Sequence, residues 1–433
     1  MAGNRELAKI ALRNLARHKV KTVLTILAVM VSVSLYIFVD SWISGMSMES
    51  RRNIVNYEMG AAKLQSKLYF EKKDEMPIYE NFAGWEAYQK ALDEAGYYSA
   101  PRFVFSGTLF SVDGSAPIVF NAVDPVAESK VLRYTTYTEA GRYIQNGAFE
   151  IVLGTIAAKK LKIDLTKGPN PVQISAVIDI KDSLGKIRHV YQLIPAVVVG
   201  TINSPNPVTN ANIAYIPLDV LQDESGMMLE GHVTELLIRD KNRGDAELPG
   251  KRESAAVISA ALDLPSELGI FTWIDYSKDY IDYEKLEIGA TKVLTMLLFV
   301  LAFLGISNTI LMAVLERTKE IGMMRALGMT DNQMVLIYMF EAGFLGLIGS
   351  IFGIILGCAI NYPMVKYGLD FSEMREAMGA DASFRVASLF RSTWNISVII
   401  GAGVAATLLS ACMAFFPTRR AVKMPITDSL RFE

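Results

Sequence analysis

The chain has 433 residues, 51% apolar and 20% charged, with a net charge of −2 and a positive mean hydropathy. That length admits two or three domains. The near-neutral charge gives no reason to expect a nucleic-acid partner. Cys358 and Cys412 both lie inside apolar runs, which excludes a disulfide scaffold. His18, His189 and His232 are far apart and show no metal-ligand spacing.

Residues 1–21 are basic: Arg5, Lys9, Arg13, Arg17, Lys19 and Lys21 stand against Glu6 alone. Leu7, Ile10, Ala11 and Leu15 share one helical face, with bases every four residues on another. This pattern fits an amphipathic helix lying along the inner membrane surface or a plain extension of the first span. Residues 22–39 carry no charge, and at ~1.5 Å per residue they reach about 27 Å, one hydrocarbon core. The run is long for a signal peptide, and the following "DSWISGMS" lacks a small-x-small cleavage site. Residues 22–43 are therefore expected to be a retained first span.

Residues 44–288 are polar and mixed and contain no cysteine. "SGTLFSVDGSAPIVFNAV" reads as two strands around Asp113–Gly114, a hairpin turn signal. "FEIVLGTIAAKKLKI" reads as strand, glycine turn and helix, with Thr155 as N-cap. "PVQISAVIDI", "HVYQLIPAVVVGTI" and "VTELLIRD" read as strands, and "NIAYIPLDVLQ" as strand into helix. The flanks "MSMESRRNIVNY" and "YSKDYIDYEKLEIGA" look helical and run into the spans as a stalk. This block is an α+β extracytoplasmic domain. It carries no G-x-S-x-G elbow and no H-E-x-x-H pair, and its acids are scattered rather than convergent. No G-x-x-x-x-G-K-[ST] occurs in the chain, so no P-loop nucleotide site is expected.

Residues 289–315 form the second expected span, uncharged over 293–315. The third, 333–362, holds one charge, Glu341, and the ladder Gly349, Gly353, Gly357. The fourth, 394–416, carries the small face Ala402, Ala406, Ser410 and Ala414. Such faces mark close helix packing without naming the partner. Glu341 suits an interhelical hydrogen bond or a coupling path; snorkelling to the interface or protonation fits as well. The tail 417–433 adds Arg419, Arg420, Lys423 and Arg431. Basic loops lie inside, so four spans place both termini and residues 316–332 in the cytoplasm, with 363–393 outside. The expected fold is a membrane protein of four transmembrane α-helices, with the α+β domain between spans one and two.

The segment "LERTKEIGMMRALGMTDNQ" lies between two of these spans. As a helix it places Met323 and Leu327 on one side and Ile321 and Met324 on another, leaving Arg317, Glu320 and Arg325 for water or a partner. Gly328 suits a C′ position, and Thr330-x-x-Gln333 is a capping-box pattern. Ile321, Met324 and Leu327 are then apolar side chains expected to face the cytoplasm. A docking helix needs them; a plain connector does not, and both readings stand.

"LERTKEIGMMRALGMT" resembles the E-R-T/R-x-E-I-G-x-x-R/K-A-L-G-A motif of the permeases grouped with MacB, FtsX and the lipoprotein-releasing LolC/LolE pair. "IVLGTIAAKKLKID" is similar to an element of that family's periplasmic core domain, and "FPTRRAVKMPITDSLRFE" to its tail. The resemblance implies an ABC transporter permease of the bacterial inner membrane, not itself an enzyme, that works by mechanotransmission. It implies a partner ATPase dimer that holds ATP and Mg, a second permease chain (identical or paralogous), and a periplasmic carrier or adaptor. No cofactor would be bound directly. ATPase coupling would fall to Glu316, Arg317, Glu320, Ile321, Met324, Arg325, Leu327 and Gly328. The implied substrate is a lipoprotein, lipid or other envelope component; activation of a cell-wall hydrolase, as in FtsX, and MacB-like efflux are the alternatives.

Overall fold

A computed structural model describes residues 4–15, 19–181, 187–223, 230–316, 318–371 and 389–423. The chain forms two compact units, Met1–Met46 with Glu284–Leu369 and Phe390–Glu433, and Ser47–Tyr283 with Asp370–Leu389. The labelled helices are α1 (Asn4–Leu15), α2 (Lys19–Asn53), α3 (Lys278–Glu316), α4 (Thr318–Ala326), α5 (Asp331–Lys366) and α6 (Ile396–Val422). Two of the unit boundaries fall within α2 and α3.

Among the described residues, Thr22–Met59, Asp331–Lys366 and Ile396–Arg420 are long and apolar enough to cross a membrane. The backbone of α3 is helical throughout and contains the uncharged run 293–315. In the helical unit α5 is central. Along one of its faces, a Cβ on Gly349 would stand 2.7 Å from Val29 Cβ, and one on Gly353 would stand 2.8 Å from Val33 Cβ. A Cβ on Gly357 would lie 3.2 Å from Ile37 Cβ. Three side chains of α2, spaced by four, thus sit on three glycines of α5 with the same spacing. On another face, a Cβ on Gly346 would meet Ser410 Oγ at 2.6 Å, and one on Gly343 would touch Ala411 at 3.5 Å. Ala402, Ala406, Ser410 and Ala414 are all buried. The glycine ladder therefore seats α2, while the Ala/Ser face of α6 meets α5 through Gly343 and Gly346, which the ladder did not include. An edge contact between Tyr36 and Phe299, with centroids 5.1 Å apart, joins α2 to α3.

On α1, Leu7, Ala11 and Leu15 are buried, and the helix packs against α5. Ile10 is 37% exposed and leaves the expected face. The reason is the i, i+4, i+8 spacing of the buried three, which makes a narrow stripe that Ile10 does not join. That stripe is used on protein rather than on lipid.

The second unit is built on a sheet. Its strands are β1 (Ala62–Ser66), β2 (Phe82–Ala83), β3 (Tyr97–Phe110), β4 (Ser115–Val123), β5 (Thr138–Gly141) and β6 (Glu150–Gly154). They continue with β7 (Asn170–Lys181), β8 (Ile187–Ile202), β9 (Ile213–Pro217), β10 (His232–Val233), β11 (Glu235–Asp240) and β12 (Leu268–Thr272). Ten of them form one mixed sheet in the order β12-β1-β11-β3-β4-β9-β6-β8-β5, with β7 against β3 and β8. The pairs β4–β9 and β6–β8 are parallel.

The hairpin expected at Asp113–Gly114 joins β3 to β4, with Phe110 opposite Ser115 and Ser111 N–H donating to Gly114 O at 2.8 Å. "VTELLIRD" divides at Thr234, whose Oγ1 accepts from Val104 N–H at 2.9 Å. After β6 the expected cap shifts by one residue. Gly154 is the N-cap and Thr155 opens the helix without a side-chain cap bond. A Cβ at 154 would collide with the Asn210 backbone, so that position takes glycine and cannot hold the capping threonine.

β1 and β11 are buried along their whole length. Leu236 and Ile238 face one core and Leu237 another, so both faces of the sheet are covered. Charged residues on these strands are consequently buried too. Lys63 Nζ meets Glu235 Oε2 at 2.8 Å, and Gln65 Nε2 donates to the same oxygen at 2.9 Å. Arg102 pairs with Glu128 and approaches Glu235 Oε1 at 3.6 Å. Tyr134 OH donates to Glu128 at 2.9 Å. Burial pulls the Arg102 guanidinium down, but Glu128, Tyr134 and Glu235 around it hold it above its ordinary value. Burial also pushes the Tyr134 hydroxyl well up, so it remains a donor.

Two predictions follow from this packing. Gly353→Leu should destabilise the helical unit by about 1–3 kcal/mol through overpacking, seen as a lower midpoint in denaturing-detergent titration. Gly401→Leu, where a Cβ meets nothing within 4 Å, should leave the midpoint unchanged. In the second unit, Glu128→Gln should cost about 3–5 kcal/mol, because a buried cation loses its main partner. Arg102→Met combined with Glu128→Leu should cost less than Glu128→Gln alone, measured by chemical denaturation of the full chain.

Candidate coupling site

The segment between α3 and α5 is short, and its ends are chemically fixed. α3 stops at Glu316, and α4 runs from Thr318 to Ala326. After Ala326 the chain turns through Gly328 at φ +98. Gly328 N–H donates to Arg325 O at 3.0 Å and Met329 N–H to Met324 O at 3.1 Å. These are the 5→2 and 6→1 bonds of a Schellman motif. Only glycine takes that φ without strain, so the C′ role expected of Gly328 is met. Two residues later α5 opens with the expected capping box. Thr330 N–H donates to Gln333 Oε1 at 3.0 Å, and Gln333 N–H to Thr330 Oγ1 at 3.4 Å. Across the turn, Arg325 Nε lies 3.0 Å from Asp331 Oδ1.

One face of α4 is core. Ile321 is 1% exposed, Thr318 and Gly322 are buried, and Met324 and Met329 pack on the same cluster. That cluster includes Leu7 and Ala11 of α1 and Met334, Ile337 and Tyr338 of α5. The opposite face carries Met323 at 53% exposure and Leu327 at 84%.

Two expectations are corrected here. Ile321 and Met324 do not face the cytoplasm, because they pack into the core cluster of the helical unit. Arg325 is not left for water or a partner, because Asp331 takes it into the turn. Glu316, Glu320 and Leu327 are exposed, Glu341 is half-buried on α5, and Arg317 lies outside the described residues. The alternation of Met323/Leu327 with Ile321/Met324 was visible in the sequence, but which pair points inward was not. Met323 is the outward residue missed. Its i, i+4 relation to Leu327 was the signal available for it.

Residues 292–426 match the family model described as FtsX-like permease C-terminal, a span that includes all of this site. An uncharacterized ABC transporter permease of Methanocaldococcus jannaschii is 33% identical over 129 residues, covering 30% of this chain and 29% of its own length. The macrolide export ATP-binding/permease protein MacB of Chromobacterium violaceum is 24% identical over 257 residues, covering 56% of this chain and 34% of its own. The lipoprotein-releasing system transmembrane protein LolC of Neisseria meningitidis is 21% identical over 350 residues, covering 78% of this chain and 79% of its own. The first three curated relatives are matched over 29%, 30% and 27% of their lengths, so the chain spans about three tenths of each. The chain thus carries an FtsX-like permease domain and is a homologue of MacB, LolC and other ABC transporter permeases.

Proposed function

We propose that the chain is the permease subunit of an ATP-driven membrane machine. A separate ATPase dimer binding ATP and Mg docks on α4, and its motion passes through the membrane helices to the outer unit. The observation that carries this reading is the construction of α4. A Schellman turn, a capping box and a buried back face hold Leu327 and Met323 outward at 84% and 53% exposure. A solubilising connector gains nothing from two large apolar side chains in water. A docking surface gains about 1.5–3 kcal/mol for each one buried.

The substrate we infer is a lipoprotein or another membrane-anchored envelope component. LolC, named for lipoprotein release, aligns over 78% of this chain, against 56% for the MacB relative. A second permease chain, identical or paralogous, completes the membrane part. The proposed topology has four spans in the bacterial inner membrane, α2, α3, α5 and α6, with both termini and α4 in the cytoplasm. The basic N-terminal segment and tail support it.

Leu327→Asp should reduce co-purification of the ATPase and its coupled turnover about tenfold or more, since ~1.4 kcal/mol is tenfold. The permease itself should still insert and fold, because Leu327 makes no core. Ile321→Asp, by contrast, should lower the yield of folded chain. Wild-type capture and turnover in Leu327→Asp would reduce α4 to a connector.

Topology is tested separately, after replacing Cys358 and Cys412 with serine. A cysteine at Ser115 should label from outside intact cells, and one at Asn332 only after permeabilisation. Labelling of both from outside would end the four-span arrangement.

A further inference from the structure

Within the helical unit, α3 and α6 line an open groove of about 520 Å3 that the coupling reading does not use. Its wall changes character along α6. Leu311 of α3 with Phe415 and Phe416 of α6 make an apolar stretch; Arg419, Arg420 and Lys423 follow within two turns. The uncharged run 395–416 ends at this point. For a helix that crosses a bilayer, that is where hydrocarbon gives way to headgroups. The three bases are exposed, and among the described residues none of them is in a salt bridge. The Arg419 guanidinium stacks 5.4 Å from the centre of the Phe415 ring, which holds one charge at the groove's edge.

We propose that this groove binds an anionic phospholipid. One acyl chain lies along Leu311, Phe415 and Phe416, and the headgroup phosphate sits among Arg419, Arg420 and Lys423. The volume is in the range of a ligand site. An amphiphile with an anionic head matches both halves of the wall in the order in which they occur. A second protein helix would match the apolar half and leave three cations to be neutralised. The site depends on α6 ending at a membrane boundary and not on what docks at α4, so failure of ATPase docking leaves this inference untouched.

The test uses the full chain in phosphatidylcholine nanodiscs doped with phosphatidylglycerol, with retained lipid read by native mass spectrometry. Wild type should retain phosphatidylglycerol over phosphatidylcholine by about tenfold or more, given the attraction of each base for an anionic headgroup. The variant R419Q/R420Q/K423Q should fall to near parity. R419K/R420K, which keeps the charge, should stay close to wild type and guards against misfolding of the glutamine variant. Leu311→Trp, which fills the apolar half, should lower retention with every base in place. Equal retention of the two lipids by wild type would overturn the proposal. So would loss of preference in the glutamine variant with none in Leu311→Trp, which would mean bare surface attraction. Loss of a chain dimer in the glutamine variant, with lipid retention unchanged, would assign the groove to a second copy and overturn it equally.

Discussion

The close approach of α5 to its neighbours is the constraint on which the helical unit depends. In a bilayer, apolar side chains gain nothing by leaving lipid for protein, so helix association rests on dispersion at short range. Gly349, Gly353 and Gly357 let Val29, Val33 and Ile37 reach the α5 backbone, and Gly346 admits Ser410 from another side. A methyl group at Gly346, Gly349 or Gly353 would stand nearer than side chains pack, and one at Gly357 would be tight at 3.2 Å. Each glycine costs helix propensity, about 1 kcal/mol relative to alanine in water. The close contact has to exceed that cost. Four such positions on one helix fix α5 against both α2 and α6 with little freedom to slide.

That fixed helix is what makes α4 more than a loop. α5 begins at a satisfied capping box, α4 ends at a satisfied Schellman turn, and Arg325 and Asp331 bridge the corner. Ile321 and Met324 then tie the back of α4 to the cluster of α1 and α5. A push on Leu327 therefore meets no slack backbone. On the proposed coupling it would pass through Ile321, which packs in one cluster with residues of the helices that hold the glycine contacts. Local hydrogen bonds close this corner: the Schellman turn ends the nine-residue helix and the capping box opens α5.

Local features were legible in the sequence for the same reason. The Asp113–Gly114 hairpin, Gly328 at C′ and the Thr330–Gln333 box each depend on a few adjacent residues. The apolar runs were legible because length alone decides them. What the sequence hid depends on distant partners. α4 has two apolar pairs at helical spacing, and only the packing of the other helices decides that Ile321 turns inward and Leu327 outward. Gly346 stood outside the regular ladder and was overlooked, although it makes the closer contact with α6. The Gly154 cap was missed because its cause is the Asn210 backbone, more than fifty positions away.

The ionic cluster of the second unit was hidden most completely. Lys63, Arg102, Glu128 and Glu235 come from separate elements, and each alone looks like a solvated charge. Buried pairs of this kind often give no more stability than apolar residues of the same volume. Their consequence here concerns register. β1 and β11 are buried on both faces; β1 still alternates apolar Ala62 and Leu64 with polar Lys63 and Gln65, whereas Leu236, Leu237 and Ile238 of β11 run without alternation. Ala62 pairs with Ile238 and Leu64 with Leu236, and a slip by one residue would set Leu64 opposite Glu235 in one direction or Ala62 opposite Arg239 in the other. The same slip would turn Glu235 to the other face and leave Lys63 and Arg102 with one carboxylate between them. The cost of an unpaired buried cation thus adds to the alternation of β1 in selecting the one register.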